Sequence, residues 1–159
     1  MSFPRSSKQI CAGGVKIGGG APITVQSMLN TPAEETEKSV EQAKRLEAAG
    51  CELIRAAIPN MESVKLIAAL KEAVSVPIVA DIHFDYRLAL EAVAAGVDKV
   101  RINPGNIGDE DRVRQVVQTC KQHNVPIRVG VNSGSLEKQI LAKYGHPTAQ
   151  AMVDSALYH

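Results

Sequence analysis

The chain has 159 residues, 45% of them hydrophobic and only 3% aromatic, and its 18 Lys plus Arg against 17 Asp plus Glu give a net charge of +1. This balance excludes a polybasic nucleic-acid binder and an acidic disordered chain, and the apolar fraction is that of a globular protein with a core. With so few aromatics the core has to be aliphatic, as in buried parallel strands.

In chain order, residues 8–12 and 15–17 flank Gly13-Gly14 and predict a small hairpin, of the kind that can plug the N-terminal end of a barrel. A strand is predicted over 23–26, a helix over 34–49, a strand over 53–56 and a helix over 61–73. A strand over 78–82, a helix over 86–95, a strand over 99–102 and a helix over 110–123 follow. The last strand is expected over 127–131, with helices over 136–144 and 147–159. In the helix over 110–123, Val113, Val116, Val117 and Cys120 fall on one face, and Asp109 stands where an N-cap belongs. In the helix over 147–159, Ala149, Met152, Val153 and Ala156 form the expected apolar face.

The elements repeat. Ala48-Ala49-Gly50-Cys51-Glu52-Leu53-Ile54-Arg55 returns as Ala94-Ala95-Gly96-Val97-Asp98-Lys99-Val100-Arg101, and Val76-Pro77-Ile78-Val79-Ala80-Asp81 returns as Val125-Pro126-Ile127-Arg128-Val129-Gly130. A unit of about 23–25 residues accommodates one strand, one helix and two short loops. Such alternation implies parallel strands with right-handed crossovers. About five units are present where a closed (β/α)8 barrel has eight. The expected fold is therefore α/β, a partial (β/α)8 TIM barrel preceded by an N-terminal hairpin, with a complete open five-stranded sheet as the alternative. The expected division is a hairpin segment over 1–20 and a partial barrel over 21–159, cut before closure. An open last strand predicts a homo-oligomer or marginal stability.

No run of 18 apolar residues occurs, and residues 1–20 lack the apolar stretch of a signal peptide, so a cytoplasmic chain with no membrane partner is expected. Cys11, Cys51 and Cys120 read as free thiols used as small buried side chains, and no Cys-x-x-Cys pair encodes a metal site.

Polar residues gather where the strands end. Residues i and i+2 share a strand face, which groups Asp81 with His83, Arg101 with Asn103, and Arg128 with Gly130 and Asn132; Arg55 closes its own strand, and Gln26, Ser27 and Asn30 follow the first. Active sites of parallel α/β folds sit at that edge. Arginines held together on three strands repel one another and call for anions, and their planar forks match phosphate. The expected ligand is therefore phosphorylated, and a diphosphate fits best. The alternative is that each arginine pairs with Asp81, Asp85 or Asp98 as a structural ion pair. Loops 104–108 and 133–135 precede helices and offer further N–H groups. No GxGxxG or P-loop pattern points to a dinucleotide or ATP. Asp81 and His83 are the candidate catalytic pair, for proton transfer or for orienting substrate hydroxyls. His123, His146 and His159 receive no role.

The segments Val25-Gln26-Ser27-Met28, Ala80-Asp81-Ile82-His83-Phe84-Asp85-Tyr86-Arg87-Leu88-Ala89, Arg101-Ile102-Asn103-Pro104-Gly105-Asn106-Ile107-Gly108 and Arg128-Val129-Gly130-Val131-Asn132-Ser133-Gly134-Ser135 resemble the N-terminal part of the 4-hydroxy-3-methylbut-2-enyl diphosphate synthase family. The resemblance runs from Arg5 to His159. It implies an isoprenoid-pathway oxidoreductase that reductively opens 2-C-methyl-D-erythritol 2,4-cyclodiphosphate to 4-hydroxy-3-methylbut-2-enyl diphosphate. Electrons would come from ferredoxin or flavodoxin through a [4Fe–4S] cluster. By motif, Arg55, Arg101, Asn103, Arg128 and Asn132 would hold the diphosphate, with Asp81 and His83 near the reacting atoms. The family's cluster ligands lie in a C-terminal iron–sulfur domain that has no counterpart in this sequence, so the chain alone is expected to bind no cluster and to be inactive. The competing readings are a non-catalytic phosphate-binding half-barrel module and a pterin-binding-type barrel synthase.

Overall fold

A computed structural model describes residues 6–159. The first five residues of the expected segment 1–20 lie outside the described residues. Strands β1 (Ile10–Ala12) and β2 (Val15–Ile17) pair antiparallel, as the predicted hairpin. Its turn lies against the N-terminal ends of two barrel strands. Gly13 has φ +53°, and a Cβ there would stand 2.8 Å from Pro77 Cβ and 2.7 Å from an Asp98 carboxylate oxygen. A larger residue at that position meets both strain and overlap.

The second sheet holds five parallel strands in sequential order: β3 (Gln26–Met28), β4 (Leu53–Ala57), β5 (Ile78–Ile82), β6 (Lys99–Ile102) and β7 (Ile127–Val129). Helices α1 (Thr36–Ala48), α2 (Lys65–Ala73), α3 (Tyr86–Ala94) and α5 (Glu110–Gln122) alternate with them, and α6 (Lys138–Tyr144) and α7 (Ala149–Tyr158) follow β7. This is the expected arrangement of βα units. The outward residues Ile54, Ala56, Ile58, Ile78, Ala80, Ile82, Val100 and Ile102 are buried and form one core with Leu66, Ile67, Leu70, Leu88, Ala92, Val93, Val116 and Cys120. Each large aliphatic side chain so buried contributes about 1.5–3 kcal/mol of transfer free energy.

Several boundaries differ from expectation. The first barrel strand begins at Gln26 rather than at Ile23, because the register pairs Gln26 with Leu53, and Ile23 is 98% exposed. The helix expected over 61–73 opens with a 3-10 turn, Glu62–Val64. There Ser63 N–H donates to Asn60 Oδ1, and the Ser63 hydroxyl donates back to Asn60 O at 2.6 Å, which tightens the chain entry. The last strand stops at Val129, and a 3-10 turn, Ser133–Ser135, delays α6 to Lys138. A short helix, α4 (Pro104–Ile107), was not expected; Asn103 caps it and Pro104 fills its first position.

Two apolar faces also turn differently. On α5, Val116 and Cys120 are buried while Val117 is 45% exposed. On α7, Ala151 and Ser155 face inward and Val153 and Leu157 outward. Asp154 accepts from Tyr144 Oη and Lys143 Nζ, both at 2.7 Å, and these bonds to α6 set the rotation of α7 instead of the Ala149–Met152–Val153–Ala156 stripe. Cys11 is exposed, against expectation, whereas Cys51 and Cys120 are buried. Burial pushes the Cys120 thiol up to about 11, so at pH 8 only about one molecule in a thousand carries its thiolate. Maleimide labelling of the folded protein followed by peptide mass mapping is expected to mark Cys11 first and to leave Cys120 unmodified; fast labelling of Cys120 would contradict this packing.

Candidate functional site

The site is built by the inward face of the five-stranded sheet. Residues alternate along each strand, so the set opposite the helix-covered core comprises Gln26 and Met28 on β3, Leu53, Arg55 and Ala57 on β4, Val79 and Asp81 on β5, Lys99 and Arg101 on β6, and Arg128 at β7. Ladder register places Asp81 beside Arg101 and Arg101 beside Arg128. Asp81, Arg101 and Arg128 therefore stand in one register row toward the C-terminal ends of the strands, with Arg55 and Lys99 one pleat earlier, in register with each other through Val79.

Asp81 is the hub. Its side chain is only 2% exposed, and it accepts from Arg55 Nη2 at 2.6 Å and Arg101 Nη1 at 3.1 Å. His83 Nε2 lies 3.1 Å from the same oxygen that Arg55 holds. Burial alone would raise the Asp81 carboxyl; the Arg55 hydrogen bond, the His83 contact and the charges of Arg55 and Arg101 outweigh it and hold the carboxyl below its ordinary value. One carboxylate thus serves two guanidinium groups. Arg55 Nε is buried with no partner among the described residues, and such a donor is costly to leave unmet.

Arg101 owes its position to a glycine. Its Nη2 donates to Gly130 O at 3.4 Å, and a Cβ on Gly130 would overlap the guanidinium. The absence of a side chain at Gly130 is what admits Arg101 to the row. Arg128 is exposed, and among the described residues it makes no ion pair. The alternative of purely structural arginine pairing therefore holds only in part: Arg55 and Arg101 share Asp81, Asp85 pairs with Arg87 and Asp98 with Lys71, while Arg128 stays without a carboxylate.

Asn103 is buried and its amide is committed to the loop. Nδ2 donates to Ser135 Oγ at 2.6 Å, and Oδ1 accepts from Gly105 N–H at 3.2 Å. It joins the β6–α4 loop to the Ser133–Ser135 turn, with one amide hydrogen left over. Asn132 is exposed, and its carbonyl accepts from Ser135 N–H and Oγ. The structure brings Arg55, Asp81, His83 and Arg101 into direct contact, places Arg128 alongside, and sets Asn103 and Asn132 on a neighbouring loop pair. Sequence reading missed Lys99, although its place two residues before Arg101 puts it on the same face. It also missed the contact of His159 with Glu137, 2.7 Å apart, which carries no signal in spacing.

A cavity of about 850 Å³ lies elsewhere, between α5, residues Ser135–Gln139 and His159. Its lining mixes Asp109, Glu110 and Glu137 with Arg114 and Lys138. It gathers no charge of one sign, so the strand-end arginines remain the candidate site.

Comparison with known proteins concerns the chain as a whole. Residues 7–159 match the family model described as the GcpE TIM-barrel domain. The chain belongs to the GcpE TIM-barrel family. A relative named 4-hydroxy-3-methylbut-2-en-1-yl diphosphate synthase (flavodoxin) from Psychromonas ingrahamii is 56% identical over 100% of this chain and 44% of its own length. Relatives with the same name from Caldicellulosiruptor saccharolyticus and Listeria monocytogenes are 56% and 52% identical, over 95% and 99% of this chain and 44% and 43% of theirs. The GcpE-family chain thus spans less than half the length of the curated relatives it matches. Among solved structures, a dihydropteroate synthase from Xanthomonas albilineans superposes with TM-score 0.64 at 17% identity, covering 94% of this chain and 57% of that one. An N-acetylmannosamine-6-phosphate 2-epimerase from Clostridium perfringens superposes at 0.51 and 17% identity, covering 76% and 56%. At these identities the likeness concerns the barrel fold alone. Among the described residues no helix is long and apolar enough to cross a membrane.

Proposed function

We propose that this chain is the substrate-binding part of an enzyme that reductively opens 2-C-methyl-D-erythritol 2,4-cyclodiphosphate to 4-hydroxy-3-methylbut-2-enyl diphosphate. The observation that carries this reading is the row of strand-end cations sharing one carboxylate: Arg55 and Arg101 on Asp81, with Arg128 alongside. Opening the ring leaves negative charge on the phosphate oxygen that departs from carbon. Guanidinium groups already fixed by Asp81 can receive that charge with little reorganisation. Asp81, held ionised, orients both arginines and the His83 ring. His83, 40% exposed at its side chain, presents Nδ1 away from Asp81 for a proton at the substrate. Asn103 and Asn132 set the loops that close around the diphosphate.

The names of the relatives carry flavodoxin, which supports it as the electron donor of the intact protein in the cytoplasm. A [4Fe–4S] cluster belongs to the same reading, but the thiols of residues 1–159 do not fit one. Cys11 is on the hairpin, Cys51 Sγ donates to Leu53 O at 3.0 Å, and Cys120 is held as a thiol by burial. Among the described residues no three metal-ligating side chains converge. Cluster ligation needs organised thiolates, so no step is assigned to these cysteines and residues 1–159 alone are expected to turn over no substrate.

The edges make a separate prediction. Among the described residues β3 and β7 are paired on one side only, and Val25, Met28 and Val129 beside them are exposed. Residues 1–159 by themselves are expected to self-associate through these edges; a monodisperse monomer in light scattering at high concentration would contradict this. The function itself is tested on the intact protein with reduced flavodoxin. Consumption of the cyclic diphosphate, lost on Arg101→Met, is expected. Binding of a pterin in preference to the cyclic diphosphate would overturn the proposal in favour of a pterin-binding synthase.

A further inference from the structure

Lys99 opens β6 on the inward face, one pleat deeper than Arg101. It is 8% exposed, and its neighbour in register on β5 is Val79, itself 1% exposed. Among the described residues it makes no ion pair, and Asp81, the one inward-facing carboxylate of the five strands, is already shared by two arginines. The charge that acts on Lys99 most directly is a like one: burial first, and then Arg128, push its ammonium below the ordinary lysine value. Arg101 pairs with Arg128 in register, so buried Lys99 is the diagonal same-face neighbour of exposed Arg128, and two such cations with no carboxylate for either among the described residues form an incomplete arrangement. A long flexible stem lets an ammonium reach along the strand toward Arg128 as a point charge.

We infer that Lys99 is a further anion-binding residue of this site, holding one phosphoryl group of the ligand from below together with Arg128. The inference rests on the diphosphate reading given above. It places the ligand deeper than the strand-end arginines alone would. One phosphoryl group would lie against Arg55 and Arg101, and the other between Arg128 and Lys99.

The test is titration of inorganic pyrophosphate into the intact protein and its Lys99→Met, Lys99→Arg and Arg128→Met variants, with the melting temperature of each ligand-free form. Lys99→Met is expected to weaken pyrophosphate binding about tenfold, as loss of one charge-assisted contact does. Lys99→Arg should retain most of the affinity. The ligand-free melting temperature of Lys99→Met should hold or rise, because a repelling buried charge is gone. If pyrophosphate binds Lys99→Met as tightly as the unaltered protein while the melting temperature falls by several degrees, Lys99 is paired with a carboxylate from outside residues 1–159 and the inference is overturned. If Arg128→Met weakens binding and Lys99→Met does not, Lys99 alone is excluded and the diphosphate reading stands. If the unaltered protein binds no pyrophosphate, both fail.

Discussion

Asp81→Asn is expected to destabilise the intact protein by about 3 kcal/mol and to lower turnover by about a hundredfold, while inorganic pyrophosphate still binds. The substitution preserves shape and removes charge. Arg55 and Arg101 then stand in a largely buried site with no counter-charge, and breaking a buried pair from one side costs more than the pair itself contributes. The added positive field attracts a diphosphate no less, so affinity for pyrophosphate is kept even as the arginines and His83 lose their common anchor. This separation of binding from turnover distinguishes an orienting carboxylate from a ligand contact. Chemical denaturation and steady-state rates measure the two halves, and equal loss of pyrophosphate affinity and turnover would assign Asp81 differently. The pH dependence has a definite sign. The folded-state carboxyl lies below its ordinary value of 3.8, so its stabilising effect is complete above that value. It is lost as the pH falls through the lower folded-state value. Asp81→Asn should therefore flatten the acid limb of the stability profile and leave the neutral region parallel.

Gly130→Ala is expected to lower turnover by about one to two orders of magnitude with the fold intact. The backbone there is free of the left-handed strain that constrains Gly13, so the added methyl acts through space alone, where it overlaps the Arg101 guanidinium. Arg101 must swing out of the row, which breaks its bond to Asp81 and removes one of the proposed phosphate contacts. Because the effect passes through Arg101, it should be non-additive. In an Arg101→Met background the alanine should cost little further activity, and a double-mutant cycle reports the coupling. Additive losses would show that Gly130 acts by some route other than clearance for Arg101.

The sequence was most legible where a single physical rule decided the outcome. Alternation put Asp81, Arg101 and Arg128 on one face, and the ladder pairs them as that rule requires. The repeat of Ala-Gly helix ends and Val-Pro strand starts yielded the βα order and the sequential parallel sheet. Legibility fell where two local effects competed. Ile23 has strand propensity, yet the register that buries Ile54 and Leu53 starts the ladder at Gln26. The α7 stripe was a fair amphipathic pattern, but Asp154 bonds across to Tyr144 and Lys143 and rotates the helix. The family resemblance makes Asn103 a ligand contact, and in the fold its amide first caps α4 and holds Ser135. The role of Gly130 depends on an arginine 29 residues away, a through-space clearance that no local pattern encodes. Lys99 was available from the same alternation that found Arg101, and its burial beside Arg128 gives it significance only in three dimensions.

The strand-end arginines, organised by Asp81, are proposed to hold a diphosphate. Calorimetric titration of 2-C-methyl-D-erythritol 2,4-cyclodiphosphate into the intact protein, beside its Arg55→Met/Arg101→Met variant, tests this proposal most directly. The expected result is binding that weakens as salt rises and falls by at least about a hundredfold in the double variant, as loss of two charge-assisted contacts requires. Equal affinity in both proteins, or binding indifferent to salt, would contradict it.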